Sequence, residues 1–123
     1  MIGYVTLGTN DIDRAAKFYD ELLGTIGGKR AMEGDTFIAW TNGKPGQAMV
    51  SIIKPHDKQP ATVGNGVMVA LAVDSREKVD AVHAKALELG GKDEGAVGER
   101  SSTFYAGYFR DLDGNKLNVF YMG

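Results

Sequence analysis

The feature that most restricts this chain is that its sequence is written twice. Residues 3–9, Gly-Tyr-Val-Thr-Leu-Gly-Thr, alternate Val5 and Leu7 with Tyr4, Thr6 and Gly8, the pattern of a half-buried strand. Asn10 follows as the expected N-cap, with Asp13 three residues on, and Ile12, Ala15, Ala16, Tyr19, Leu22 and Leu23 share one helical face before Gly24 offers a stop. The same order returns later. Residues 67–73 alternate Val69, Leu71 and Val73 with Met68, Ala70 and Ala72. Asp74 is the expected cap with Glu77 three residues on, and Val79, Val82, Ala86 and Leu89 form an apolar stripe that ends at Gly90-Gly91. Tyr4 matches Met68 and Asn10 matches Asp74, an offset of 64 in both cases (68 − 4 and 74 − 10). Two landmarks with one offset mark an internal repeat.

Three strand-like runs follow each helix, at 28–33, 36–41 and 47–53, then at 92–98, 103–110 and 116–122. Turn formers separate them, among them Gly34-Asp35, Asn42-Gly43-Lys44-Pro45-Gly46 and Asp111-Leu112-Asp113-Gly114-Asn115. Each half therefore reads βαβββ. One α+β domain over 1–123 is expected, made of a module at 1–53, a connector at 54–66 and a module at 67–123.

Composition excludes several classes of function. With no cysteine there is no disulfide, thiolate nucleophile or thiolate metal site. A net charge of −2, with lysines and arginines scattered, argues against nucleic acid and anionic membranes as partners. No apolar stretch reaches the roughly 18 residues of a membrane span. The N-terminus carries no basic and apolar leader pattern, so a cytoplasmic location is expected.

The stretches Tyr4-Val-Thr-Leu-Gly-Thr-Asn-Asp-Ile-Asp-Arg-Ala-Ala-Lys-Phe-Tyr19, Lys54-Pro-His-Asp-Lys-Gln-Pro-Ala-Thr-Val-Gly-Asn-Gly66 and Arg110-Asp-Leu-Asp-Gly-Asn-Lys-Leu117 resemble the glyoxalase/bleomycin-resistance (vicinal oxygen chelate) superfamily, in its bacterial glyoxalase-like subgroup. The resemblance covers essentially the whole chain. It implies two tandem βαβββ modules forming a curved, open half-barrel, with the helices on the convex side. It also implies a homodimer and a divalent metal on the concave side, held by His, Glu or Gln from the first and last strands of each module.

At the positions where the resemblance puts ligands, this chain has others. Tyr4 stands where a His is usual, Met68 stands at its repeat mate, and Asn118 stands where Glu is usual. A thioether suits soft metals, and an amide brings no charge. The fourth position falls within 47–53, where Met49 or Ser51 would face inward and Gln47 is the one conventional donor. Neither histidine restores a site. His83 belongs to the second helix as a surface or packing residue, and His56 to a surface loop. Asp111 and Asp113 flank a turn that they are expected to cap, and the run lacks the downstream Glu of a calcium loop.

The concave face is expected to carry Tyr4, Thr6 and Gly8; Met68, Ala70 and Ala72; and Asn118, Phe120 and Met122. Trp40, either Phe37 or Ile38, and either Tyr105 or Phe104 complete it. Arg100, in the loop before the seventh strand, is a candidate for an anionic group of a ligand. Such an aromatic, thioether-rich lining suits a flat or apolar small molecule. The expected ligand-binding residues are thus Tyr4, Thr6, Trp40, Met68, Arg100, Tyr105, Asn118 and Phe120, with no metal, no cofactor and no assigned catalytic residue. Bleomycin-resistance members of the resembled family sequester drugs in such a groove without chemistry. The alternatives are a divalent-metal lyase, isomerase or dioxygenase with non-standard ligands, and a subunit whose repeated fold serves assembly alone.

Overall fold

A computed structural model describes residues 1–123. The chain forms two compact units, Met1–Val63 and Gly64–Gly123. The first contains β1 (Tyr4–Gly8), α1 (Ile12–Gly24), β2 (Lys29–Glu33), β3 (Phe37–Thr41) and β4 (Met49–Ile53). The second contains β5 (Val69–Ala72), α2 (Arg76–Glu88), β6 (Lys92–Ser101), β7 (Phe104–Arg110) and β8 (Lys116–Met122). Each unit is a βαβββ module with one mixed four-stranded sheet, ordered β1-β4-β3-β2 in the first and β5-β8-β7-β6 in the second. In each sheet the first strand pairs in parallel with the last, and the remaining pairs are antiparallel.

Both helices begin one residue later than expected. Asp11, not Asn10, caps α1 by accepting the Arg14 N–H at 3.1 Å, and Ser75, not Asp74, caps α2 by accepting from Lys78 N–H at 3.2 Å. The offset of 64 survives the correction (75 − 11). Asn10 instead accepts the Ala61 N–H at 2.6 Å and donates back to the Ala61 carbonyl at 3.4 Å, which ties the chain after β4 to the start of α1. Gly8 permits this approach, because a Cβ there would lie 3.0 Å from the Ala61 Cβ.

Ala15, Ala16, Phe18, Tyr19, Leu22 and Leu23 of α1 are buried, as are Leu7, Ile38, Trp40 and Ile52 of the sheet beneath it. In the second unit Val79, Val82, His83 and Ala86 of α2 are buried with Leu71, Phe109, Leu117 and Val119. Alternation along each strand sends the next residues to the face away from the helix. The turn before β8 is closed by Asp111, whose Oδ1 accepts both the Asp113 and the Asn115 N–H at 2.9 Å while Oδ2 accepts from the Asn115 amide at 3.0 Å. Gly114 takes the left-handed conformation this turn requires, at φ +90°.

Candidate functional site

In the second unit, the sheet face turned away from α2 is organised by cross-strand register. Ala70, Asn118 and Tyr108 form one row, and Ala72, Phe120 and Ala106 form the next. Phe104, one step further along β7, stacks on Phe120 with ring centroids 5.4 Å apart and an interplanar angle of 18°. Asn118 is 1% exposed, and its Oδ1 has no hydrogen-bond partner. A buried acceptor left unpaired costs about 1–3 kcal/mol, so this atom is a place where a donor would be gained.

Arg100 belongs to this same face. It lies within β6, which is longer than the expected 92–98 and is interrupted by register shifts between Asp93 and Gly95, Gly95 and Gly98, and Glu99 and Ser101. Its guanidinium folds back along its own strand, donating to the Gly98 carbonyl at 2.9 Å and the Ala96 carbonyl at 2.7 Å. It lies 5.4 Å from the Tyr108 ring centroid, and the Lys116 ammonium approaches the same ring at 5.6 Å. Gly95 and Gly98 supply the room, since Cβ atoms there would come within 3.5 and 3.4 Å of the Arg100 guanidinium nitrogens. Arg100 has no carboxylate partner, whereas Arg110 and Arg76 are paired with Glu94 and Glu99.

In the first unit the corresponding row is Thr6, Ser51 and Ala39. Ser51 occupies the position in β4 that Asn118 occupies in β8. It is fully buried, and its Oγ also lacks a partner. Tyr4, 58% exposed, meets Phe37 edge to face at 6.2 Å. Of the residues left open at this end, Phe37 and Ser51 therefore share the face with Tyr4 and Thr6, while Ile38 belongs to the buried helix side.

Two expected site residues stand on the other side of their sheets. Trp40 is 2% exposed beneath α1, with its ring 5.7 Å from that of Tyr19 and its indole N–H donated to Asp20 at 2.9 Å. Tyr105 lies on the α2 side, donating its hydroxyl to Asp80 at 2.7 Å beneath the Arg76 guanidinium. The Asp80 hydrogen bond, helped by burial, raises the Tyr105 phenol above its ordinary value. Phe104, not Tyr105, faces with Asn118, and Tyr108 is a member of that face that strand alternation left unnamed. Aromatic residues occupy both parities of β7, so hydropathy alone did not distinguish its faces. Met68 precedes β5 and is 39% exposed.

His83 is buried against its own sheet, its Nε2 3.1 Å from both Asp93 Oδ1 and the Tyr108 carbonyl. The Gly95 N–H, with a smaller share from His83, holds the Asp93 carboxyl below its usual range against the opposing effect of desolvation. These contacts make His83 a structural residue of the helix–sheet layer.

The donors at the implied metal positions do not fit a hard divalent ion. They are a phenol, a thioether, a neutral amide and a serine hydroxyl, and no three His, Asp or Glu side chains gather to hold a metal. Asn118 in particular offers no charge to balance one.

Comparison with known proteins agrees with this architecture. The family model described as the Glyoxalase/Bleomycin resistance protein/Dioxygenase superfamily matches residues 1–119. A glyoxalase/bleomycin resistance protein from Albidiferax ferrireducens T118 is similar at 35% identity and TM-score 0.91, over 100% of this chain and 99% of that one. A hypothetical protein, SA1046 from S. aureus, is similar at 28% identity and TM-score 0.74, over 98% and 92%. Lactoylglutathione lyase from Agrobacterium tumefaciens shares the fold at 21% identity and TM-score 0.71, over 98% and 92%. No functionally curated protein matches the chain.

Proposed function

This chain belongs to the glyoxalase/bleomycin resistance protein/dioxygenase superfamily, and we propose that it binds a small, partly apolar or aromatic molecule on the sheet faces turned away from α1 and α2, without a metal. The observation that carries the reading is Asn118. It stands where the family resemblance puts a metal-binding carboxylate, it is neutral, and its buried Oδ1 is an acceptor in want of a donor. Around it are the groups that recognise a flat guest. The Phe104–Phe120 stack offers an aromatic surface, Tyr108 lies beside Asn118, and Arg100 is held by carbonyls and free of any carboxylate. A guest that displaces the half-buried Tyr108 or Phe120 ring and donates an N–H or O–H to Asn118 recovers the lost hydrogen bond, and Arg100 receives an acidic substituent. The sheet face of the first unit turned away from α1 carries a lining of the same kind in Tyr4, Thr6 and Phe37. The reading also favours binding over catalysis, because none of these groups is a poised acid, base or nucleophile.

The test is a panel of small aromatic molecules bearing N–H or O–H donors, with and without a carboxylate, scored by thermal shift and by NMR. Saturable stabilisation that is lost in Asn118→Leu and Phe120→Ala is expected. Chelator-treated protein should take up no stoichiometric Mn, Fe, Ni or Zn. Stoichiometric metal that depends on Tyr4 or Asn118 would replace this reading with a metal-dependent lyase, isomerase or dioxygenase. A homodimer is part of the proposal, since β2 is an exposed edge strand with Met32 outward, a form that a second copy can cover. A monomeric mass in solution at micromolar concentration would remove it.

A further inference from the structure

We propose that a cleft confined to the first unit, at the C-terminal ends of β1 and β4, is a separate site for a small organic anion, a carboxylate or a phosphate monoester. The cleft has a volume of about 670 Å³, within the roughly 300–1,000 Å³ of small-molecule sites. Lys54, His56 and Lys58 line it together with Ile53, Pro55 and Pro60, and no acidic side chain does. None of the three basic residues is engaged in an ion pair. In a chain of net charge −2, this is a local excess of positive charge over an apolar floor.

The wall that carries the cations is built and fixed. Asn10 clamps Ala61 through both of its amide atoms, and Gly8 leaves room for the chain to cross there. The Lys54 N–H bonds the Thr36 carbonyl at 2.9 Å, the Lys58 N–H bonds the Pro55 carbonyl at 3.0 Å, and Asp57 accepts the Gln59 N–H at 3.0 Å. Asp57 is thus turned to its own backbone. Lys58 is the one residue other than glycine in the left-handed region, at φ 64°. That conformation is uncommon for any residue other than glycine, and the turn imposes it on Lys58. Lys58 lines the cleft together with His56 and Lys54. Thr9, whose buried hydroxyl is spent on the Asp11 backbone, and Gln59 complete the lining.

The site is tested on isotopically labelled wild-type protein by titrating inorganic phosphate and, separately, butyrate, and following backbone amides. Either anion should give saturable shifts centred on Thr9, His56 and Gln59, and which of the two does so separates phosphate esters from carboxylates. Lys54→Gln combined with Lys58→Asn, the latter keeping a residue that tolerates the left-handed turn, should weaken binding about tenfold or more. Asn118→Leu, which tests the aromatic face, should leave it unchanged. Shifts that stay linear with both anions, or a wild-type affinity retained in the double variant, would overturn the proposal. So would shifts that follow Asn118 instead.

Discussion

Gly107 lies directly beneath the His83 imidazole: a Cβ at this position would come 2.9 Å from His83 Cδ2 and 2.8 Å from Val97 Cγ1. The missing side chain is what lets α2 settle on β7 and brings His83 Nε2 within 3.1 Å of the Tyr108 carbonyl. Gly107→Ala should therefore cost about 1–3 kcal/mol through overpacking. Denaturant unfolding measures it, and a change below the error of the measurement would show that the layer can yield.

Asp20 collects three N–H donors, from Arg30 Nε at 2.9 Å, Arg30 Nη2 at 2.7 Å and the Trp40 indole at 2.9 Å. The Arg30 hydrogen bond, and to a lesser degree that of Trp40, holds its carboxyl below the usual value against the desolvation that opposes them. A depressed folded-state value means that the stabilisation is present above the unfolded value and is lost as pH falls through the folded one. Wild type should melt above Asp20→Asn at pH 7, and the gap should close as pH drops below about 4. A gap that persists unchanged at pH 2 would assign the effect to packing.

Ser51→Ala removes a fully buried hydroxyl that has no partner. The expected outcome is a small gain in stability, up to about 1 kcal/mol, because an unsatisfied group is deleted at little loss of volume. A loss instead would mean that Ser51 Oγ is hydrogen-bonded in solution. Repeating the melt with any aromatic ligand found for the sheet faces would show whether that ligand is the partner.

Asp111 spends both carboxylate oxygens on its own turn. Asp111→Ala should destabilise by about 1–3 kcal/mol by freeing buried donors. Adding calcium should leave the melting temperature of the wild type where it is. A calcium-dependent rise would reinstate the Asp-x-Asp-Gly run as a cation site.

The sequence by itself determined the architecture. A repeat of 64 residues, alternation in the strands, glycines after each helix and Asp/Gly turns are local signals, and the elements appear within a few residues of where those signals put them. It also determined the donors at Tyr4, Met68 and Asn118, a phenol, a thioether and an amide where the family resemblance implies other ligands, because residue identity decides what an atom can ligate. Tertiary structure decided the faces. Trp40 reads as a ring available to a ligand until Asp20 and Tyr19 draw it under α1. Tyr105 and Phe104 are equivalent by hydropathy, and only the position of α2 over β7 sends one to Asp80 and the other to Phe120. Ser51 and Asn118 are 67 residues apart (118 − 51), not 64, so their equivalence is visible only in strand register. The bulges of β6 that lay Arg100 on Tyr108 depend on glycines whose neighbours come from another strand. Which side of a sheet a residue takes, and whether its polar atoms find partners there, is fixed by contacts between segments distant in the chain, and a one-dimensional pattern does not contain them.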